Sequence, residues 1–240
     1  MVTPVTYFDL LDGLPQPGCV ICNLLRRNVD RSLDALLYEY VGDPDVHRAF
    51  RRRRGLCNEH SWQLLRHTGN ALAIAVLYEA AVDEVLKILE PGADPQAGRG
   101  RLPGTGGKPN AGLLADRLEP AETCLVCRQI GVSEAQYIRV FCQYLQDDKL
   151  KEAYRASDGL CLPHFRQALR SVSDTAQAES LLAIQAAIWK KLYAHLQQFR
   201  EMNDYRRITE KMGVEGDSWR RAVGRLAGEE GVFGLDPRSS

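Results

Sequence analysis

The sequence predicts an all-α fold built from two pseudo-repeated helical units, and three observations lead there. Apolar residues recur at spacings of three and four over long stretches, which marks helices with one buried stripe. Strand-like alternation is sparse. One short pattern is also written twice, about a hundred residues apart: Gly55-Leu56-Cys57-x2-His60 and Gly159-Leu160-Cys161-x2-His164.

Each element can be justified in turn. Residues 23–40 place Leu24, Leu25, Val29, Leu33, Leu36, Leu37 and Tyr40 on one helical stripe. Gly42-Asp43-Pro44-Asp45 stops that helix, because glycine and the residue before proline both disfavour its continuation. A short basic segment, 46–54, leads to Gly55, a candidate for the left-handed residue that turns the chain. The second copy follows the same plan, with a helix over 128–146, a turn at Asp147-Asp148, and a short segment to Ala156. Each Cys-x2-His then opens a longer helix. The first spans Ser61 to Glu90, and the second runs from Phe165 to about Met202 with an interruption near Ser171-Val172-Ser173.

This divides the chain into a first repeat over 1–90, a linker over 91–119, a second repeat over 120–202 and a C-terminal helical extension over 203–240. The Gly- and Pro-rich core of the linker, 91–110, cannot sustain a helix. The long apolar helices, rich around 71–82 and 181–196, are expected to pack the repeats about a pseudo-two-fold axis, and a groove there is the candidate binding surface. In the extension, Asp217–Gly228 reads as one helix packing back through Trp219, Val223 and Leu226.

Composition narrows the function classes. Lys plus Arg and Asp plus Glu both number 31, so no global field draws the chain toward nucleic acid or an anionic membrane. The N-terminus lacks the basic start and apolar run of a secretory signal, and no stretch is long and apolar enough to span a membrane. A cytoplasmic location is the expectation, where seven cysteines serve better as metal ligands or buried side chains than as disulfides.

Six of those cysteines fall into the repeats. Cys19-Val-Ile-Cys22 precedes Cys57-x2-His60 by 34 residues, and Cys124-Leu-Val-Cys127 precedes Cys161-x2-His164 by 33. A Cys-x2-Cys knuckle can aim both sulfurs at one point, and residues three apart in a helical turn share a face. Three sulfurs and one imidazole nitrogen suit tetrahedral zinc, so two zinc ions are expected, held by Cys19, Cys22, Cys57, His60, Cys124, Cys127, Cys161 and His164. Buried apolar cysteines would explain the sulfurs but not the two histidines. An iron–sulfur cluster is disfavoured because clusters usually take four thiolates. Whether a knuckle closes with the Cys-x2-His of its own repeat or of the other is open, and the smaller loop entropy favours its own.

Four protein ligands leave no position for a metal-bound water, so the sites are expected to be structural and no catalytic residue is assigned. Glu59 lies inside the first motif, yet Pro163 stands in its place in the second, so a solvated carboxylate is the plainer reading than a general base. His67 is read as a partly buried structural residue rather than a support for His60, and Cys142 as core. Arg51–Arg54 is read as a solvated face or a partner contact, since the second copy has Tyr-Arg-Ala-Ser-Asp there. Gly104–Pro109 fails as a phosphate loop, with Leu102 where its first glycine should stand and Pro109 in place of Ser or Thr.

With both cysteine–histidine units and the closing Asp-Ser-Trp-Arg-Arg-Ala-Val-Gly-Arg-Leu-Ala-Gly, the chain resembles an uncharacterised bacterial domain-of-unknown-function family over most of its length. The resemblance implies no activity and transfers no catalytic residue. The expectation is therefore a zinc-stabilised protein-interaction or regulatory module with an unidentified protein partner. The alternatives are a thiol-based redox or metal sensor, an enzyme using the inter-repeat groove, and a nucleic-acid binder working through Arg51–Arg54.

Overall fold

The computed structural model describes residues 4–89, 111–203 and 211–232. These form eleven helices: α1 (Val5–Gly13), α2 (Val20–Tyr38), α3 (Pro44–Arg53), α4 (Asn58–Leu64), α5 (Ala71–Leu89), α6 (Ala111–Leu118), α7 (Leu125–Gln143), α8 (Asp148–Ala156), α9 (Leu162–Ser171), α10 (Thr175–Met202) and α11 (Ser218–Ala227). Among the described residues there is no strand, so the fold is all-α. The Gly/Pro-rich segment 91–110 lies outside the described residues, and 111–118, at the end of the stretch read as linker, is α6.

The described residues divide into two compact units. Unit one takes 4–28, 130–203 and 211–232; unit two takes 29–89 and 111–129. The stripe of α2 is buried from Leu24 to Leu37, and burying each such leucine stabilises by about 1.5–3 kcal/mol. Tyr40, past the end of α2, is exposed instead. Asp43 caps α3 by accepting from the amides of Asp45 and Val46, with Pro44 in the first turn where its missing N–H costs nothing. In unit one Phe141 meets Tyr154 edge-on at 4.9 Å, and in unit two Phe50 meets Tyr78 edge-on at 5.1 Å.

Two expectations need correction. The helix read over 61–90 is two helices, α4 and α5, because the chain turns at Gly69, whose φ of +84° favours glycine. The interruption expected near 171–173 does occur, with Asp174 capping α10 through the amide of Gln177. The second correction concerns α11, which forms as expected but faces the other way. Trp219, Val223 and Leu226 are 47%, 62% and 61% exposed, while Ser218 and Arg225 are buried. Its inward face is polar because buried Arg225 reaches the half-buried Asp158 carboxylate, as described below.

Candidate metal centres

All eight sequence-predicted ligands sit at helix N-termini. Cys19, Cys57, Cys124 and Cys161 each precede a helix, and their carbonyls accept the first helical hydrogen bond, from Asn23, Ser61, Arg128 and Phe165 respectively. Three residues on, Cys22, His60, Cys127 and His164 lie one turn above on the same face. The glycines of the duplicated motif are explained locally. Gly55 and Gly159 have φ of +95° and +78°, and a Cβ there would stand 3.1 Å from the Tyr78 ring and 2.8 Å from Gln185 Nε2. The leucines that follow are buried, and the turn thereby delivers the cysteine to the helix start.

The eight side chains come together as two quartets, each pairing a Cys-x2-Cys with the more distant Cys-x2-His. Cys19, Cys22, Cys161 and His164 form one, and Cys57, His60, Cys124 and Cys127 the other. Within each, the donor atoms lie within 4.8 Å of one another. Closure of each knuckle on its own repeat, favoured on loop entropy, is therefore overturned. That preference was small: lengthening the loop from about 35 to about 139 residues costs only ~1.2 kcal/mol. Helix geometry works against it. The 19-residue α2 carries the chain about 28 Å from its knuckle, and the ten-residue α3 recovers at most about 15 Å.

In the first quartet His164 Nδ1 lies 3.4 Å from Cys19 Sγ, 3.4 Å from Cys22 Sγ and 3.1 Å from Cys161 Sγ, and Cys22 and Cys161 sulfurs are 3.6 Å apart. In the second, His60 Nδ1 lies 3.2, 3.3 and 3.7 Å from the sulfurs of Cys57, Cys127 and Cys124, and Cys57 and Cys127 sulfurs are 3.6 Å apart. A tetrahedron with metal–sulfur bonds of about 2.3 Å and metal–nitrogen bonds of about 2.0 Å has edges of about 3.8 and 3.5 Å. The spacing fits a single ion. It is too wide for disulfides, and all seven cysteines are free.

Two helix N-termini aim at each quartet. Their positive ends favour thiolate, and three thiolates around a divalent ion leave one net negative charge for them to balance. Burial opposes ionising Cys19, but hydrogen bonds from Cys161, Cys22 and His164 hold it well below the usual thiol range. Burial likewise lowers His164, yet contacts with Cys161, Cys19 and Glu134 push it up to about 11. His60, with Cys124 and Cys57 outweighing its burial, rises to about 9. Any metal must displace these protons, which couples binding to pH.

Sequence reasoning missed the groups that brace the quartets. Glu134 Oε1 lies 3.0 Å from His164 Nε2 and accepts from Gln167 Nε2 at 2.7 Å. Asp158 Oδ2 accepts the amide of Gly18 at 2.9 Å and pairs with Arg225 Nη2 at 2.7 Å, so one carboxylate ties together the turns before Cys19 and Cys161. Gln185 spans Leu160, donating to its carbonyl at 3.1 Å and accepting from its amide at 3.0 Å. Only Arg225 left a trace, in the closing motif of the sequence.

The remaining candidates fall elsewhere. His67 Nδ1 pairs with Asp34 at 2.8 Å, away from the ligands, and Glu59 accepts from Gln63 at 2.9 Å. Cys142 is buried, and burial pushes its thiol up to about 11. Arg52 pairs with Glu122, and Arg54 donates to the carbonyls of Arg51 and Arg117. No helix among the described residues is long and apolar enough to cross a membrane.

The chain is 24% identical over 223 residues to an uncharacterized 23.9 kDa protein in the xynA 3' region of Caldicellulosiruptor sp. (strain Rt8B.4), an alignment covering 92% of this chain and all of that one. No solved structure gives a significant match to this chain. With its paired cysteine–histidine quartets and their helical frame, this chain belongs to a family of unknown function (DUF6062), whose pattern matches residues 11–231.

Proposed function

We propose that the protein is a cytoplasmic, zinc-stabilised helical module for protein interaction or regulation, with one zinc ion in each quartet and two homologous repeats supplying the ligands. One observation carries this: two sets of three sulfurs and one imidazole nitrogen stand at tetrahedral spacing, each assembled from chain segments far apart in sequence. Soft sulfur with a single nitrogen favours zinc among the common divalent ions, and a full protein shell leaves no site for substrate or activated water. The metal's work is then to close the fold.

Elemental analysis of protein purified without added metal tests this, with two equivalents of zinc expected. Chelation should cost helicity measured by circular dichroism. Less than one equivalent of any transition metal, or helicity indifferent to its removal, rejects the reading.

A thiol-based sensor is the second reading, favoured by the partial exposure of Cys57 and Cys127. Peroxide separates the two: zinc release with loss of helix at low peroxide supports a sensor, and resistance supports a purely structural role.

A further inference from the structure

The two quartets share their donors and differ in what stands behind the histidine. A metal-bound imidazole is held by the hydrogen bond its other nitrogen makes, which fixes the tautomer and raises ligand basicity. His164 has a carboxylate in that place, Glu134 Oε1 standing 3.0 Å from Nε2 in ion-pair contact, itself 19% exposed and steadied by Gln167. His60 does not. Its Nε2 is buried and has no hydrogen-bond partner.

The cause is legible in the register of the two helices that begin at the knuckles. Seven residues beyond Cys127 in α7 stands Glu134, and seven beyond Cys22 in α2 stands Val29, which is buried and offers no acceptor. The glutamines three residues after each histidine follow suit. Gln167 donates to Glu134, while Gln63 donates to Glu59 on its own helix. Access differs in the same sense. All four ligands of the first quartet are buried, whereas Cys57 and Cys127 of the second are partly open to solvent, where a competing ligand can begin replacing the sulfurs one at a time.

We propose that the metal centres have different duties: Cys19–Cys22–Cys161–His164 is permanent, and Cys57–His60–Cys124–Cys127 exchanges its ion with the surroundings, making unit two responsive to metal supply. Glu134 is the positioning residue that sets the difference. The proposal rests on metal occupancy of both quartets and adds an order of loss. Losing the second ion frees the N-termini of α4 and α7 and unlinks residues 57–60 from 124–127, so the response is a loosening of unit two.

The test uses the full-length zinc-loaded protein and a chromogenic chelator in excess, following zinc transfer over time. Two phases of one equivalent each are expected, separated by at least tenfold, the range that such outer hydrogen bonds command. Cys57→Ser should abolish the fast phase and Cys161→Ser the slow one. Glu134→Ala should speed the slow phase by 10–100-fold with the fast phase unmoved, and Glu134→Gln, which keeps an acceptor without the charge, should fall between. In cobalt-loaded protein Glu134→Ala should alter the visible absorption of one ion only, a signature that a merely packing role would leave alone. A single phase of two equivalents, a fast phase that survives Cys57→Ser, or a slow phase indifferent to both Glu134 substitutions overturns the proposal while leaving the zinc reading intact. Protein that starts with no zinc overturns both.

Discussion

The turns that lead into the two quartets are tied by different chemistry. In unit one the ties run through side chains: Asp158 holds the Gly18 amide and the buried guanidinium of Arg225, and buried Gln185 grips both main-chain groups of Leu160. In unit two the corresponding tie is main-chain and open. The Ala121 amide donates to the Arg52 carbonyl at 2.9 Å, and the Arg52 side chain, 57% exposed, reaches Glu122. Where Gln185 backs Gly159, the ring of Tyr78 backs Gly55. Matching ligand motifs thus rest on side-chain ties from distant residues in one unit and on a main-chain bond and a half-exposed ion pair in the other. The lesson is that a ligand set alone does not define how a metal centre behaves.

The largest contrast should come from the ligands themselves. Metal binding in small zinc domains supplies about 10–16 kcal/mol, more than the roughly 5–15 kcal/mol by which a domain is stable. Cys161→Ser should therefore abolish the cooperative urea transition of unit one, and Cys57→Ser should leave that transition in place while removing unit two's. Tryptophan fluorescence separates the two, since Trp189 and Trp219 lie in unit one and Trp62 in unit two. Equal damage from both substitutions would erase the contrast.

Next in size is the charge tie. Arg225→Met removes a buried guanidinium bonded to the Asp158 carboxylate and carbonyl and to Glu229, and should cost about 2–3 kcal/mol in urea denaturation. Arg52→Met, removing an exposed pair, should stay within about 1 kcal/mol. Smaller again is the amide grip. Gln185→Ala strands the Leu160 N–H and carbonyl and should cost about 2 kcal/mol, against about 1 kcal/mol for Tyr78→Phe, which loses only its 2.8 Å hydrogen bond to Ser61.

The smallest effect is one of pH. Tyr7 donates to Asp147 at 2.6 Å, and that bond, then burial, pushes its phenol up to about 12 from an ordinary 10.0. A raised folded-state value means the contribution is complete below pH 10 and is lost as pH rises through about 12. The stability gap between wild type and Tyr7→Phe should close over that window, and Asp147→Asn should bring the ultraviolet titration of one tyrosine back toward 10.

Helices and ligands were legible in the sequence because both depend on local spacing: the α2 stripe, the Asp43-Pro44 start and the doubled Gly-Leu-Cys-x2-His need only neighbours along the chain. The pairing of knuckle with motif was not legible, since it depends on how far α2 and α7 carry their ends. Nor were the braces. Glu134, Asp158 and Gln185 act through partners between 25 and 140 residues away, and no local pattern announces a carboxylate that will meet an imidazole. The inward face of α11 misled for a related reason: hydrophobic spacing pointed to Trp219, Val223 and Leu226, while the ion pair of buried Arg225 with Asp158 decided the orientation.

Because residues 57–60 clasp 124–127 inside the longer span from 19–22 to 161–164, the two clasps are nested, like one pair of brackets within another. On a ribosome moving at about 5–20 residues per second, the inner pair is complete well before the outer one, whose first two thiols wait about 7–28 seconds for His164 to be made. Sealing the inner pair shortens the slack the outer one has to gather, so assembly from the inside outward is the easier order during synthesis.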